Sequence, residues 1–141
     1  MNKRYFLDTN VFLRYFLVDS NQSPACAQLI QAVEEGQLLV ATSSFVLLEL
    51  HFVLKKIYGF SAHELQTVME LVLSIRNLQL CESTDFKQSL EWQKTYGVKL
   101  ADCLILTQVP AKALFVSYDK EFDRIKHLER LTPEVVVRAG N

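Results

Sequence analysis

With 141 residues, half of them apolar, the chain is long enough to bury a core and too apolar for a disordered segment. Its 15 Lys and Arg stand against 16 Asp and Glu, a formal charge of -1, so net charge gives no general attraction to a polyanion. The three cysteines, Cys26, Cys81 and Cys103, have neither CxxC nor Cys/His spacing and read as reduced core thiols, and no apolar run approaches the roughly 20 residues of a membrane span. The expectation is one cytoplasmic domain over residues 1–141, without a membrane partner.

Residues 4–8, "YFL" flanked by Arg4 and Asp8, predict a buried strand, followed by a short helix over 11–18 with Asn10 as its cap. Ser23-Pro24 ahead of "ACAQLIQAVEEG" joins a capping serine, a proline at the first helical position and a closing Gly36. Residues 38–42 form a second strand, and "SSFVLLELHFVLKKIYG" a helix that opens on a serine cap and closes near Gly59. Ser61 and Glu64 make a capping-box pattern before the next helix. A strand at 78–81, helices over 84–96 and along "LADCLILTQ", a strand at 113–118 and a helical turn at 120–126 complete the series. Strands that are apolar without alternation, separated by helices, predict an α/β fold with a mostly parallel sheet of four to five strands covered on both faces. Ligands of such sheets gather beyond the carboxyl ends of the strands, where Asp8 and Asp119 lie.

Among the 16 acids, four are out of place. Glu49 has Phe45, Val46, Phe52 and Val53 one helical turn away on either side, and Asp102 has Val98, Ile105 and Leu106, so both project from apolar helix faces. Asp8 and Asp119 end strands. Asp123, surrounded at helical spacing by Asp119, Lys120, Lys126 and His127, reads as a solvated position and is set aside. Four carboxylates meeting at one sheet edge would repel and raise one another's pKa unless a cation neutralised them. Ligands that are all oxygen favour Mg²⁺ or Mn²⁺ over zinc. Such an ion can activate water and stabilise charge on a departing oxygen, which is phosphodiester hydrolysis.

Each acid also has a structural reading. Asp8-Thr9-Asn10 and Asp119 could cap helices, Glu49 could pair with Lys56 or Arg14, and Asp102 with Lys99. Arg14 could meet a phosphate or only a carboxylate. His51, His63 and His127 share no ligand spacing, and Trp92 and Tyr96, four apart, favour packing over base stacking. The run "VFLRYFL" exceeds what a small core needs, and part of it is expected to form a dimer or partner surface.

The order "FLDTNVFLR", "TSSFVLLELHFVL", "KLADCLIL" and "FVSYDKEFDRI" resembles the PIN-domain family, and within it the toxin ribonucleases of the VapBC type, over nearly the whole chain. The resemblance implies a three-layer α/β/α domain and a Mg²⁺- or Mn²⁺-dependent endoribonuclease. It also implies a homodimer held in check by a cognate antitoxin. By position, Asp8, Glu49, Asp102 and Asp119 match the family's metal-binding and catalytic acids. Asn10 and Ser117 support them, Ser117 standing where a threonine is common, and Arg14 and Lys99 are candidate RNA contacts. "TQVPAKALF" departs from the family's glycine-containing turn before the last strand. An aspartate-nucleophile phosphohydrolase would need a second acid at position 10, where Asn10 stands; a binding module without turnover keeps the same fold.

Overall fold

Tyr5, Phe6 and Leu7 are all buried, so consecutive side chains of β1 (Arg4–Leu7) point into apolar layers on opposite faces of the sheet. The computed structural model describes residues 3–18 and 20–139. After β1 the chain runs through α1 (Thr9–Phe16), α2 (Ser23–Glu34), β2 (Leu39–Ser43), α3 (Ser44–Lys56), α4 (Ala62–Leu73) and β3 (Leu78–Cys81). It continues through α5 (Phe86–Tyr96), α6 (Leu100–Thr107), β4 (Leu114–Val116), a 3-10 helix at Lys120–Arg124, β5 (Arg130–Leu131) and α7 (Pro133–Ala139). The five strands pair in the order β3-β2-β1-β4-β5, every pair parallel. This is the expected three-layer α/β/α arrangement. The direction of winding reverses between β1 and β4, and that seam is the switch point of the sheet.

The aromatic centre of the core spans the seam. Phe6 of β1 stacks on Phe115 of β4 at 5.9 Å between ring centroids, and Phe122 closes on Phe115 at 4.6 Å. Leu29, Ile30 and Val33 of α2, Leu50 and Leu54 of α3, and Ile105 of α6 bury fully or nearly so around it. Helix ends follow local chemistry. Ser43 caps α3 through the Val46 N–H at 3.2 Å. The capping box of α4 forms as expected, with the Glu64 amide on the Ser61 hydroxyl (3.1 Å) and the Ser61 amide on the Glu64 carboxylate (2.8 Å). Gly97 ends α5 at φ +69°, a conformation that favours glycine.

Several expectations need correction. Helix α1 begins at Thr9, with Asp8 in the cap position, and Asn10 lies inside the helix because its amide is taken by distant partners described below. Ser23 is the first residue of α2, not its cap; its hydroxyl donates to the Leu17 carbonyl and anchors the preceding connection. Helix α5 starts later than position 84, at Phe86, where the Asp85 carboxylate accepts from the Gln88 N–H. Strand β5 and helix α7 add to the elements expected from the sequence. The glycine absent before β4 is replaced by Lys112 at φ +67°, so the turn keeps a left-handed residue without having a glycine there. Within the run "VFLRYFL", Val11 and Phe12 are fully buried, and Leu13, Tyr15, Phe16 and Leu17 are partly buried against the core. Exposed large apolar side chains include Val18, just after that run, and Leu48, Phe52, Ile57 and Tyr58 on and after α3.

Candidate metal centre

Asp8 leaves β1 with its backbone still paired, its N–H donating to the Val116 carbonyl at 3.0 Å. Its side chain therefore stands at the carboxyl ends of β1 and β4, on the seam. One carboxylate oxygen, Oδ2, accepts from the Ser117 hydroxyl at 2.7 Å. That hydroxyl in turn accepts from the Asn10 amide and from the Asp119 N–H, both at 3.0 Å. Asn10 Oδ1 accepts from the Tyr118 N–H, also at 3.0 Å. Asn10 and Ser117 thus clamp the start of α1 to the segment after β4 and fix Asp8 and Asp119 relative to each other. Arg130, which no sequence motif marks, braces this segment. Its Nη1 donates to the Ser117 carbonyl at 3.0 Å while its Nε and Nη2 hold Asp123 at 2.9 and 3.1 Å. Asp123 is thereby accounted for as a structural partner.

Asp102, in the first turn of α6, is 5 % exposed and Asp8 is 3 % exposed. Among the described residues, the buried side-chain polar atoms without a hydrogen-bond partner are Asp8 Oδ1, Asp102 Oδ2 and the neighbouring Thr9 Oγ1. Buried carboxylate oxygens left without partners carry the full desolvation cost. Neither ion pair found among the described residues, Arg124–Glu121 and Arg130–Asp123, involves the four acids.

The electrostatics follow. Burial pushes the Asp8 carboxyl up to about 7; the Ser117 hydroxyl draws it back in part, while Glu49 and Asp102 add to the rise. Burial likewise pushes Asp102 up to about 6, with Glu49 and Asp119 adding repulsion and Lys99 opposing it. The acids at the start of α1, on α3, on α6 and after β4 therefore lie within electrostatic reach of one another. They do not form a ready-made cage. Among the described residues no three His, Cys, Asp or Glu side chains stand at metal-holding distance. The donor chemistry suits a hard ion that keeps much of its water and touches one or two carboxylates, and the partnerless oxygens of Asp8 and Asp102 are the atoms such an ion would satisfy.

Two expected features differ in detail. Glu49 is half-buried on the shoulder of α3, whose buried stripe is Val46, Leu50 and Leu54, because Leu48 and Phe52 beside it face outward. Asp119 does cap: its Oδ1 accepts from the Glu121 N–H at 2.9 Å, which leaves its second oxygen for other work. Arg14 is engaged by Gln22, its Nε donating to Oε1 at 3.0 Å, and Lys99 is exposed at the start of α6. Thr9, whose hydroxyl is buried beside Asp8 without a partner, has no sequence signal beyond its place next to the acid.

A family model described as PIN domain matches residues 5–128. The chain belongs to the PIN-domain family. Solved structures share the PIN fold at low sequence identity. VapBC2 from Rickettsia felis, solved bound to a fragment of promoter DNA, is 20% identical with a TM-score of 0.68, covering 92% of this chain and 98% of that one. VapBC-1 from nontypeable Haemophilus influenzae is 19% identical with a TM-score of 0.64, covering 93% and 98%. VapC20 from Mycobacterium tuberculosis, a toxin that cleaves the sarcin-ricin loop, is 17% identical with a TM-score of 0.58, covering 73% and 78%. No curated protein sequence matches the chain. Among the described residues no helix is long and apolar enough to cross a membrane.

Proposed function

We propose that this PIN domain, a single domain over residues 1–141, is a Mg²⁺- or Mn²⁺-dependent endoribonuclease and the toxin of a cytoplasmic toxin–antitoxin pair. The observation that carries the proposal is the pair of buried, partnerless carboxylate oxygens on Asp8 and Asp102 near the switch point of the sheet, with no Lys or Arg among the described residues bonded to either acid. Support comes also from the PIN family match and from structural neighbours whose names are those of VapBC complexes and of an RNA-cleaving toxin.

Asp8 and Asp102 would hold the ion directly, and Glu49 and Asp119 would complete its surroundings directly or through water. A divalent ion bound there supplies an activated water and charge neutralisation for the departing oxygen. Ser117 and Asn10 keep Asp8 Oδ2 turned to its hydroxyl donor, so that Oδ1 is left without a partner. Glu49, half-buried and without an ion-pair partner among the described residues, is placed to orient or deprotonate water. Arg14 and Lys99 supply positive charge for the RNA backbone.

The antitoxin would cover the apolar cavity of about 560 Å³ on α3, lined by Phe45, Leu48, Glu49, Phe52, Lys55 and Ile105. An occupant there passes directly over Glu49. Exposed Ile57, Tyr58, Leu71 and Leu73 are the apolar area a second copy would bury in a homodimer. The deciding experiment is cleavage of single-stranded RNA by antitoxin-free protein with Mn²⁺. Activity that vanishes in EDTA and in Asp8→Asn is expected. Metal-dependent stabilisation without any cleavage would instead establish a binding module.

A further inference from the structure

A cavity of about 420 Å³, lined by polar and charged residues, includes both chain neighbours of Asp119. Tyr118 and Lys120, the residues on either side of Asp119, form one wall; Asn21 and Gln22 between α1 and α2 form another; Arg130, Thr132 and Glu134 around β5 and the start of α7 form the third. It therefore lies beyond the carboxyl ends of β4 and β5, on the rim that carries Asp8.

The charges in its wall are partly committed to the fold. Both oxygens of Glu134 accept from the Tyr118 hydroxyl at 3.0 Å, and the Arg130 guanidinium is held by Asp123 and the Ser117 carbonyl. What remains is the amides of Asn21 and Gln22, the Thr132 hydroxyl and the Lys120 ammonium. Gln22 Oε1 already accepts from Arg14, which orients that amide with its NH₂ available to donate. The volume falls within the range of about 300–1,000 Å³ usual for small-ligand sites. Amides that offer donors and acceptors to a base edge or a ribose, with one ammonium beside the chemistry, are what a nucleotide of a single strand requires. A second cavity of about 500 Å³ shares Asn21 and Glu134 and continues past Gln28 and Val137 to Arg138, so a strand has room to run on. A polypeptide segment would want apolar anchors, which the mainly apolar α3 cavity offers in larger measure than this one.

We propose that this cavity is the subsite for the nucleotide adjoining the scissile phosphate of single-stranded RNA, with Gln22 and Thr132 reading its base or sugar and Lys120 meeting the backbone phosphate. It rests on the nuclease reading of the neighbouring acids.

The test uses the Asp8→Asn protein, chosen so that RNA can be held without turnover, and a fluorescein-labelled random-sequence decanucleotide read by anisotropy. Gln22→Ala and Lys120→Glu should each weaken binding about fivefold or more, the order of one lost hydrogen bond or ion contact. Lys120→Glu should also flatten the dependence of binding on salt. Melting curves matched to the parent exclude unfolding, and exposed Lys87→Glu on α5 controls for general charge. Sequencing the cut ends made by chains with an intact Asp8 should show that Gln22→Ala changes the nucleotide preferred beside the cut. Parent-like affinity in both cavity variants, an equal loss in Lys87→Glu, or no RNA binding by the parent overturns the subsite. RNA held through the cavity but never cut by the unaltered protein with Mn²⁺ sinks the nuclease reading, and with it the place of the subsite beside a scissile phosphate, and leaves only an RNA-binding cavity. Cutting with unaltered binding by the cavity variants sinks the subsite alone.

Discussion

The Ser117 hydroxyl donates to Asp8 Oδ2 across 2.7 Å, although the two residues are 109 positions apart in the chain. The same hydroxyl oxygen accepts from Asn10 and from the Asp119 amide, so one hydroxyl joins three elements of the candidate site. Ser117→Ala leaves the Asn10 NH₂ and the Asp119 N–H short of an acceptor and Asp8 short of a donor. We expect a loss of about 1–3 kcal/mol in stability by urea unfolding, together with a marked fall in RNA cleavage. A variant as stable and as active as the parent would show that the hydroxyl organises nothing.

Asp8→Asn should separate function from stability. The substitution removes a carboxylate that the fold buries at a cost, so in EDTA at pH 8 the variant should melt no lower than the parent, while Mn²⁺-dependent cleavage drops by at least about 100-fold. A variant that melts well below the parent in EDTA would mean that the charge is compensated by groups other than a metal.

The raised carboxyls of Asp8 and Asp102 set a pH dependence whose sign is opposite to that of ordinary salt-bridged acids. An unfolded Asp loses its proton near the usual 3.8, whereas the folded Asp102 and Asp8 keep theirs up to about 6 and about 7. Between about pH 4 and 7 the native state thus binds more protons than the unfolded one, and metal-free stability should fall as pH rises through that window, then level off. A divalent ion competes with those protons. The rise in melting temperature on adding Mg²⁺ should be clearly larger at about pH 8 than at about pH 5, and calorimetry in both buffers checks it. An equal rise at the two pH values would place the bound ion away from these acids.

Ser61→Ala breaks the capping box of α4 on the exposed surface, away from the acids. It should cost about 1 kcal/mol in chemical unfolding and leave cleavage unchanged. This sets the scale against which losses at Ser117 are judged.

Leu48→Glu and Phe52→Glu place charge on exposed apolar positions of α3, 63% and 58% accessible in the free chain. Stability should change by less than about 0.5 kcal/mol, while capture of the cognate antitoxin is lost. Retained capture by both variants would move the antitoxin to another face.

The parallel sheet was legible because apolar strands without alternation, spaced by helices, must be covered on both faces, and helix ends were legible where the cue is local, as at Ser61, Glu64 and Gly97. Strand β5 was not legible: two residues, Arg130 and Leu131, offer no period, and its identity comes entirely from pairing with Phe115 and Val116. Helix α7 had a cue in Thr132-Pro133, a proline at the first helical position, obscured by the β-branched run Val135 to Val137 that follows. The acids could be picked out from their apolar surroundings, yet spacing could not separate a core position such as Asp102 from one beside an exposed patch such as Glu49. Asn10 has the residue type of a cap and does not act as one, because its partners, Ser117 and Tyr118, lie more than a hundred residues on.

The seam between β1 and β4 joins residues 5–7 to residues 114–116, so the first strand waits for one made more than a hundred residues later. Until that pairing closes, Asp8 has no hydroxyl to meet and Asp119 no fixed place. For a chain proposed to cut RNA, this order of assembly delays the danger: the carboxylates are brought together only after the segment that carries Ser117 and Asp119 has been made and has found β1.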